Sequence, residues 1–288
     1  DRYIMNCINL FTERAADSRH RYLSWVDATT GPTGRERNVH GLYTFPIETT
    51  RCTNAITEAS NVGPDDTQLE AAGAQYATAL NTLAPLLVEA NTYYDRQNYK
   101  DDDFAKGRTL HPQLMTAFTA FGEAATALRR EVDVRQDAVT DRLLARIQTD
   151  PTRRLEFLVR TSMKTAKLLI RLSDASRIEN YLIVGVNEAQ FGQLAAQYEQ
   201  TIDQMTQFAT ANPNQARGFS TYSSFQSEAG SFLVTLKKFA RRLKNHEPFT
   251  DSNMRVIVEM DMGYSVDGAP QQLWRSYDSL VDSYNRLR

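Results

Sequence analysis

Glycine and proline are both scarce in this 288-residue chain, with 13 and 9 copies. That scarcity disfavours turn-dense sandwiches and barrels and excludes collagen. No stretch of 18 apolar residues occurs, so no segment reads as a membrane-spanning helix. Neither sign of charge dominates: Lys and Arg number 33 against 35 Asp and Glu, a formal net charge of −2. A chain-wide affinity for nucleic acid is thereby excluded, and no nucleic-acid partner is expected. What remains is globular in character, with 41% apolar and 24% charged residues, too apolar for a disordered chain. The length suffices for one large or two ordinary domains.

Cysteine is nearly absent, with only Cys7 and Cys52. They form no Cys-x-x-Cys pair, and no His or Cys stands near either at zinc spacing. Two thiols fit one disulfide and two buried free cysteines equally well. His20, His40, His111 and His246 lie far apart, with no His-Glu-x-x-His or Glu-x-x-His spacing. No cofactor and no metal ligand set is expected on these grounds. The chain begins at Asp1 without a basic-then-apolar leader, so any targeting signal is expected upstream of it.

Helical periodicity dominates what is present. Ile4, Cys7, Ile8, Phe11, Ala15, Tyr22 and Val26 share one face, predicting a first helix over 2–27. A loop over 28–43 follows, broken by Gly31-Pro32-Thr33-Gly34 and Gly41. A short helix over 47–60 turns Cys52, Ala55, Ile56 and Ala59 inward, and Asn61 to Asp65 ends it. Asp65 or Asp66 then caps a long helix to Tyr94, kinked at Pro85, with Leu69, Ala72, Tyr76, Leu80 and Leu83 inward. Residues 98–112 read as a polar linker, with Pro112 in the first turn of the next helix. That helix buries Leu114, Phe118, Phe121, Ala125, Leu128, Val132, Val139, Leu143 and Ile147. Asp150-Pro151 caps and starts another, to Leu182, with Leu155, Leu158, Ser162, Ala166, Leu169 and Leu172 inward. Helices over 188–210, 221–245 and 270–287 complete the pattern, while 254–262 fits helix or strand. The fold class is therefore all-α, an elongated bundle of roughly eight helices with at most a minor β element. We read 1–288 as one domain, with 1–99 and 112–288 as possible sub-halves.

No nucleophile motif, phosphate loop or carboxylate pair stands out by spacing. The run Asp101-Asp102-Asp103 lacks the alternating oxygens, central Gly and distal Glu of a calcium loop. It suits a helix start, with Lys100, Lys106 and Arg108 as counter-charges. A basic stripe is more specific. Arg153, Arg160, Lys164, Lys167 and Arg171 recur at spacings of 7, 4, 3 and 4, on one face of one helix. A second cluster, Lys237, Lys238, Arg241, Arg242 and Lys244, ends another helix. Both suit an anionic partner such as a surface polymer, or a solvated face pairing with the acidic stretch 54–103.

Three stretches, Gly31–Arg37, Tyr93-Tyr94 through Asn98–His111, and Tyr277–Leu287, together resemble the YiiG-like family of bacterial lipoproteins, a domain family of unknown function. The segments around Cys7 and Cys52 fit the same pattern. The resemblance implies a secreted precursor, a lipidated cysteine upstream as membrane tether, and a periplasmic location. It carries no catalytic residues with it. In that oxidising compartment, two inward-facing cysteines are expected to pair as Cys7–Cys52. They can meet only if the loop over 28–43 runs back along the first helix, and it is long enough to do so.

The function expected is a non-enzymatic cell-envelope module that binds an envelope protein or an anionic surface polymer. Its candidate surface is the two signature-rich loops, with Arg35, Arg37, Lys100, Asp101, Asp102, Asp103 and His111. The alternative is a metal-binding protein or enzyme whose site assembles His40, His111 and Asp101 to Asp103.

Overall fold

A computed structural model describes residues 2–62 and 65–287, and of residues 2–4 and 60 only the backbone. The break at Gly63-Pro64 and the inward placing of Ile4 therefore lie outside the described residues. The protein is mostly all-α, with one small two-stranded sheet among the described residues. It divides into two compact units, Asp1–Ala138 and Val139–Arg288. Residues 99–112 fall inside the first.

The first unit is built from α1 (Arg2–Leu23), α2 (Thr50–Ser60), α3 (Thr67–Asp95) and the greater part of α4 (Ala105–Ile147). Helix α1 ends earlier than its apolar pattern suggests, at Leu23. The next residues turn, and Asp27 pairs with Gly31 in an isolated bridge. Asp66 caps α3, its side chain accepting from the Leu69 N–H. Ala72, Tyr76, Leu80 and Leu83 face inward as their spacing requires, and Leu69 is half-buried. Tyr76 joins α3 to two neighbours: its hydroxyl donates to the Ile8 carbonyl at 3.2 Å, and its ring packs 5.2 Å from Phe121 of α4.

The chain after α1 does run back along it. Arg21 Nε donates to the Gly41 carbonyl at 2.7 Å, Arg14 Nε to the Thr44 carbonyl at 3.0 Å, and Phe11 meets Phe45 at 5.0 Å. Descending α1 thus matches ascending loop. The next match is the Cys7–Cys52 disulfide, with Cα atoms 6.1 Å apart and both residues buried.

Helix α4 corrects the reading of 98–112 as a linker. One 3-10 turn, Asn98–Lys100, is followed by α4 from Ala105, so Pro112 lies inside the helix and not in its first turn. Pro112 cannot donate to the Arg108 carbonyl, a loss made tolerable by its exposure. Leu114, Phe118, Phe121, Ala125 and Leu128 are buried and Val132 is half-buried. Further on, Val139 is exposed and Leu144 takes the buried place expected of Leu143.

The second unit contains α5 (Arg154–Ser173), β1 (Arg177–Glu179), β2 (Leu182–Val184), α6 (Glu188–Ala211), α7 (Pro213–Arg217), α8 (Tyr222–Lys244), α9 (Asp251–Met254) and α10 (Pro270–Asn285). Helix α5 packs on α6, α6 on α8, α8 on α10 and α10 on α5. The ring of four encloses Leu158, Leu169, Tyr198, Met205, Phe232 and Leu273, all buried. Asp150 caps the turn before α5 by accepting from Thr152 N, with Pro151 at its start, as the sequence suggested. The expected continuation of α5 to Leu182 is wrong. It stops at Ser173, and Arg177↔Val184 to Glu179↔Leu182 form an antiparallel hairpin. Its two turn residues, Asn180 and Tyr181, have φ of 48° and 68°, the left-handed pair that matches strand twist. The ambiguous run 254–262 is helical as far as Glu259: α9 passes into a π-helical turn over Arg255–Glu259, and residues 260–262 leave the helix.

Candidate functional site

The two signature-rich loops, about seventy residues apart in sequence, fold onto each other in the first unit. Gly31 lies against His111: a Cβ there would stand 2.9 Å from the imidazole ring. Its φ of +72° is a second reason for glycine. Pro32 approaches Gly107, where a Cβ would also meet the Tyr94 hydroxyl at 2.8 Å. Gly34 faces Asp103 and Phe104.

His111 holds this arrangement together. It is buried, not a helix-start residue, and both ring nitrogens are engaged. Nε2 lies 3.1 Å from the Ala28 carbonyl, which can only accept, so Nε2 carries the proton. In the neutral ring Nδ1 then accepts from the Tyr22 hydroxyl at 3.0 Å. The Tyr22 ring lies 5.8 Å from the imidazole, and Trp25 packs edge to ring on Tyr22 at 5.6 Å and on Tyr94 at 5.0 Å. Burial pushes the Tyr22 phenol up to about 12. Burial, then the Tyr22 neighbour, raises Tyr94 further. Neither phenol ionises at neutral pH, so the cluster is a set of neutral donors.

The three acids part company. Asp102 is structural: it accepts from the Tyr93 hydroxyl at 2.6 Å and from the Lys106 N–H at 3.0 Å, capping the start of α4. The Tyr93 hydroxyl foremost, and the Lys106 and Phe104 N–H groups, hold its carboxyl below the usual range. Asp101 and Asp103 are exposed. Glu36, missed by the sequence reading, organises the other loop. It accepts from Thr33 N at 2.6 Å, Thr33 Oγ1 at 2.9 Å and Gly34 N at 2.8 Å. Burial opposes its ionisation, but those donors prevail and its carboxyl is lowered. Above this frame Arg35 and Arg37 are exposed, with no side-chain partner among the described residues. Lys100 is exposed and bonds the Gln97 side chain at 2.5 Å.

His40 is exposed, and His111 has no coordination site left open. Among the described residues no group of three or more His, Cys, Asp or Glu is placed to hold a metal.

Three cations of the basic stripe, which runs from the turn before α5 into α5, pair with acids of their own unit. Glu156 serves both Arg153 and Arg160, at 2.8 Å each, and Asp141 pairs with Lys164. Arg160 also donates to the Tyr284 hydroxyl at 3.2 Å, while Lys167 and Arg171 have partners of their own. All five are half-buried. The second cluster is paired only in part: Lys237 pairs with Glu199 and Lys238 with Asp267 at 2.7 Å, while Arg241 and Lys244 are exposed without an acid partner among the described residues.

Fold and site together define a helical, disulfide-linked domain with a docked-loop surface, among whose described residues no helix is long and apolar enough to cross a membrane. The chain belongs to the family described as proteins of unknown function, DUF3829, whose model matches residues 1–286. It is 27% identical over 290 residues to "Uncharacterized protein YiiG" of Escherichia coli (strain K12), an alignment covering 100% of this chain and 78% of that protein. No solved structure matches.

Proposed function

We propose that this protein is an extracytoplasmic, non-enzymatic binding domain, held at a membrane by a lipidated cysteine upstream, and that it recognises an envelope protein through the docked loops. One observation carries the reading. Two loops far richer in polar and charged residues than a connector needs are locked together by Gly31, Pro32, Gly107 and His111, and leave Arg35, Arg37, Lys100, Asp101 and Asp103 exposed. The groups beneath them, His111, Asp102 and Glu36, are spent on holding the loops, which favours presentation over chemistry. The Cys7–Cys52 bridge supports an oxidising compartment. A protein partner is favoured over an anionic polymer because the basic stripe is already paired in place.

Photo-crosslinking residues at 35, 37 and 100 in intact cells test this, with position 234 on exposed Val234 of α8 as control. One discrete protein adduct from the three loop positions and none from 234 is expected. Adducts of equal pattern at all four positions, or none at the loops, would refute it.

A further inference from the structure

A second feature of the first unit answers to different chemistry. Helices α1, α2, α3 and α4 leave an open cavity of about 420 Å³ between them. Its apolar wall comes from Met5, Ile8, Ile56, Leu69, Leu128 and Val132. Protein interiors are close-packed, and voids of this size lined by apolar side chains are the usual form of a small-molecule site. The cavity is also braced in pairs. The Cys7–Cys52 bridge ties α1 to α2 beside it. On the other side Arg135 of α4 grips Asp66 at the start of α3, Nε to Oδ2 at 2.6 Å and Nη2 to Oδ1 at 2.5 Å, and holds Glu131 with Nη1. Four walls fixed by one covalent and one bidentate ionic tie form a preorganised pocket.

Charge selects the occupant. Arg135 is the only cation lining the cavity among the described residues, and Asp66 and Glu131 already engage it. Glu70 lines it as well, accepting from the Asp66 N–H at 2.9 Å but with no cation beside it among the described residues. Among the described residues the polar side is therefore net negative. We infer that this cavity binds a small molecule with an apolar body and a positively charged end, the body on the Ile8–Leu128 wall and the charge near Glu70. An anionic amphiphile would meet carboxylates and a guanidinium already engaged by Asp66 and Glu131.

Calorimetry or fluorescence titration of the whole protein, below the micelle concentration, with dodecyltrimethylammonium, dodecanol and dodecanoate decides it. Stoichiometric binding of the cation, at least tenfold tighter than dodecanoate, is expected. Glu70→Gln keeps the hydrogen bond to Asp66 and should erase most of the preference for the cation over dodecanol. Ala74→Trp, at an exposed lining position, should abolish binding, while Ala120→Trp, exposed on α4 away from the cavity, should not. Circular dichroism checks that each variant is folded. No binding, binding equal for cation and anion, or binding untouched by Ala74→Trp would overturn the assignment.

Discussion

Reduction of the Cys7–Cys52 bridge is expected to weaken the first unit far more than any surface change. The bridge closes a loop of 45 residues. In the chain-entropy model that restricts the unfolded state by about 13 cal/mol/K, or about 4 kcal/mol at 25 °C. Both cysteines are buried, and the segment they pin carries Phe45 onto Phe11 and Gly41 onto Arg21. Those contacts persist without the bridge, so the loss falls on the unfolded ensemble and the helices should still form. The chain has two tryptophans. In a Trp274→Phe background Trp25, packed between Tyr22 and Tyr94, reports the first unit alone. Urea unfolding followed at Trp25 should show a midpoint lower by about 2 M after reduction, for a slope of about 2 kcal/mol/M. Cys7→Ala and Cys52→Ala each remove the same bridge, so the double variant should cost within about 1 kcal/mol of either single one. A midpoint shift below about 0.5 M, or fully additive single variants, would refute the reasoning.

The remaining predictions are smaller and local. Gly31→Ala meets both a positive φ and the His111 ring, so it should destabilise by about 1–3 kcal/mol in thermal or urea unfolding. Gly122→Ala, exposed in α4 with open space at its Cβ, should stabilise by about 0.5–1 kcal/mol; equal effects at the two sites would show that the loop docking is not as described. The Arg135 guanidinium, then the Leu69 N–H, hold the Asp66 carboxyl at about 2 against 3.8 unfolded. A depressed folded value makes its contribution full above about pH 4 and lost as pH falls toward 2, so stability should drop across that window in wild type and less in Arg135→Leu. The same pH slope in both would sink the ion-pair account. Asp102→Asn should lower the melting temperature, whereas Arg35→Ala, Arg37→Ala, Asp101→Asn and Asp103→Asn should each stay within about 0.5 kcal/mol of wild type while weakening the loop adducts. Loss of fold in the latter four would make the loops structural.

Local signals carried the helices. A 3.6-residue apolar repeat placed α3, α6, α8 and α10 nearly to the residue, and the caps Asp66 and Asp150 act where a carboxylate before a helix should. Facing of the cysteines, with the compartment the family resemblance implied, gave the disulfide. Periodicity failed where neighbours in space outvote neighbours in sequence. Residues 174–182 carry enough apolar spacing to extend α5, yet left-handed Asn180 and Tyr181 turn them into a hairpin tied to Phe249 and Asp251. Pro112 sits inside α4 because Asp102 starts the helix earlier. Nothing in an Asp-Asp-Asp run says which member caps and which are left to solvent; the Tyr93 hydroxyl, nine residues back, decides that. The same holds for the basic stripe, for which the sequence offered the acidic stretch 54–103 as one pairing and whose Arg153, Arg160 and Lys164 are paired instead by Glu156 and Asp141. Composition and period fix what each segment can bury, because those depend on the chain one turn at a time. Which loops meet, which charges cancel and where four helices leave a cavity depend on contacts between residues distant in sequence, and only the tertiary structure supplies them.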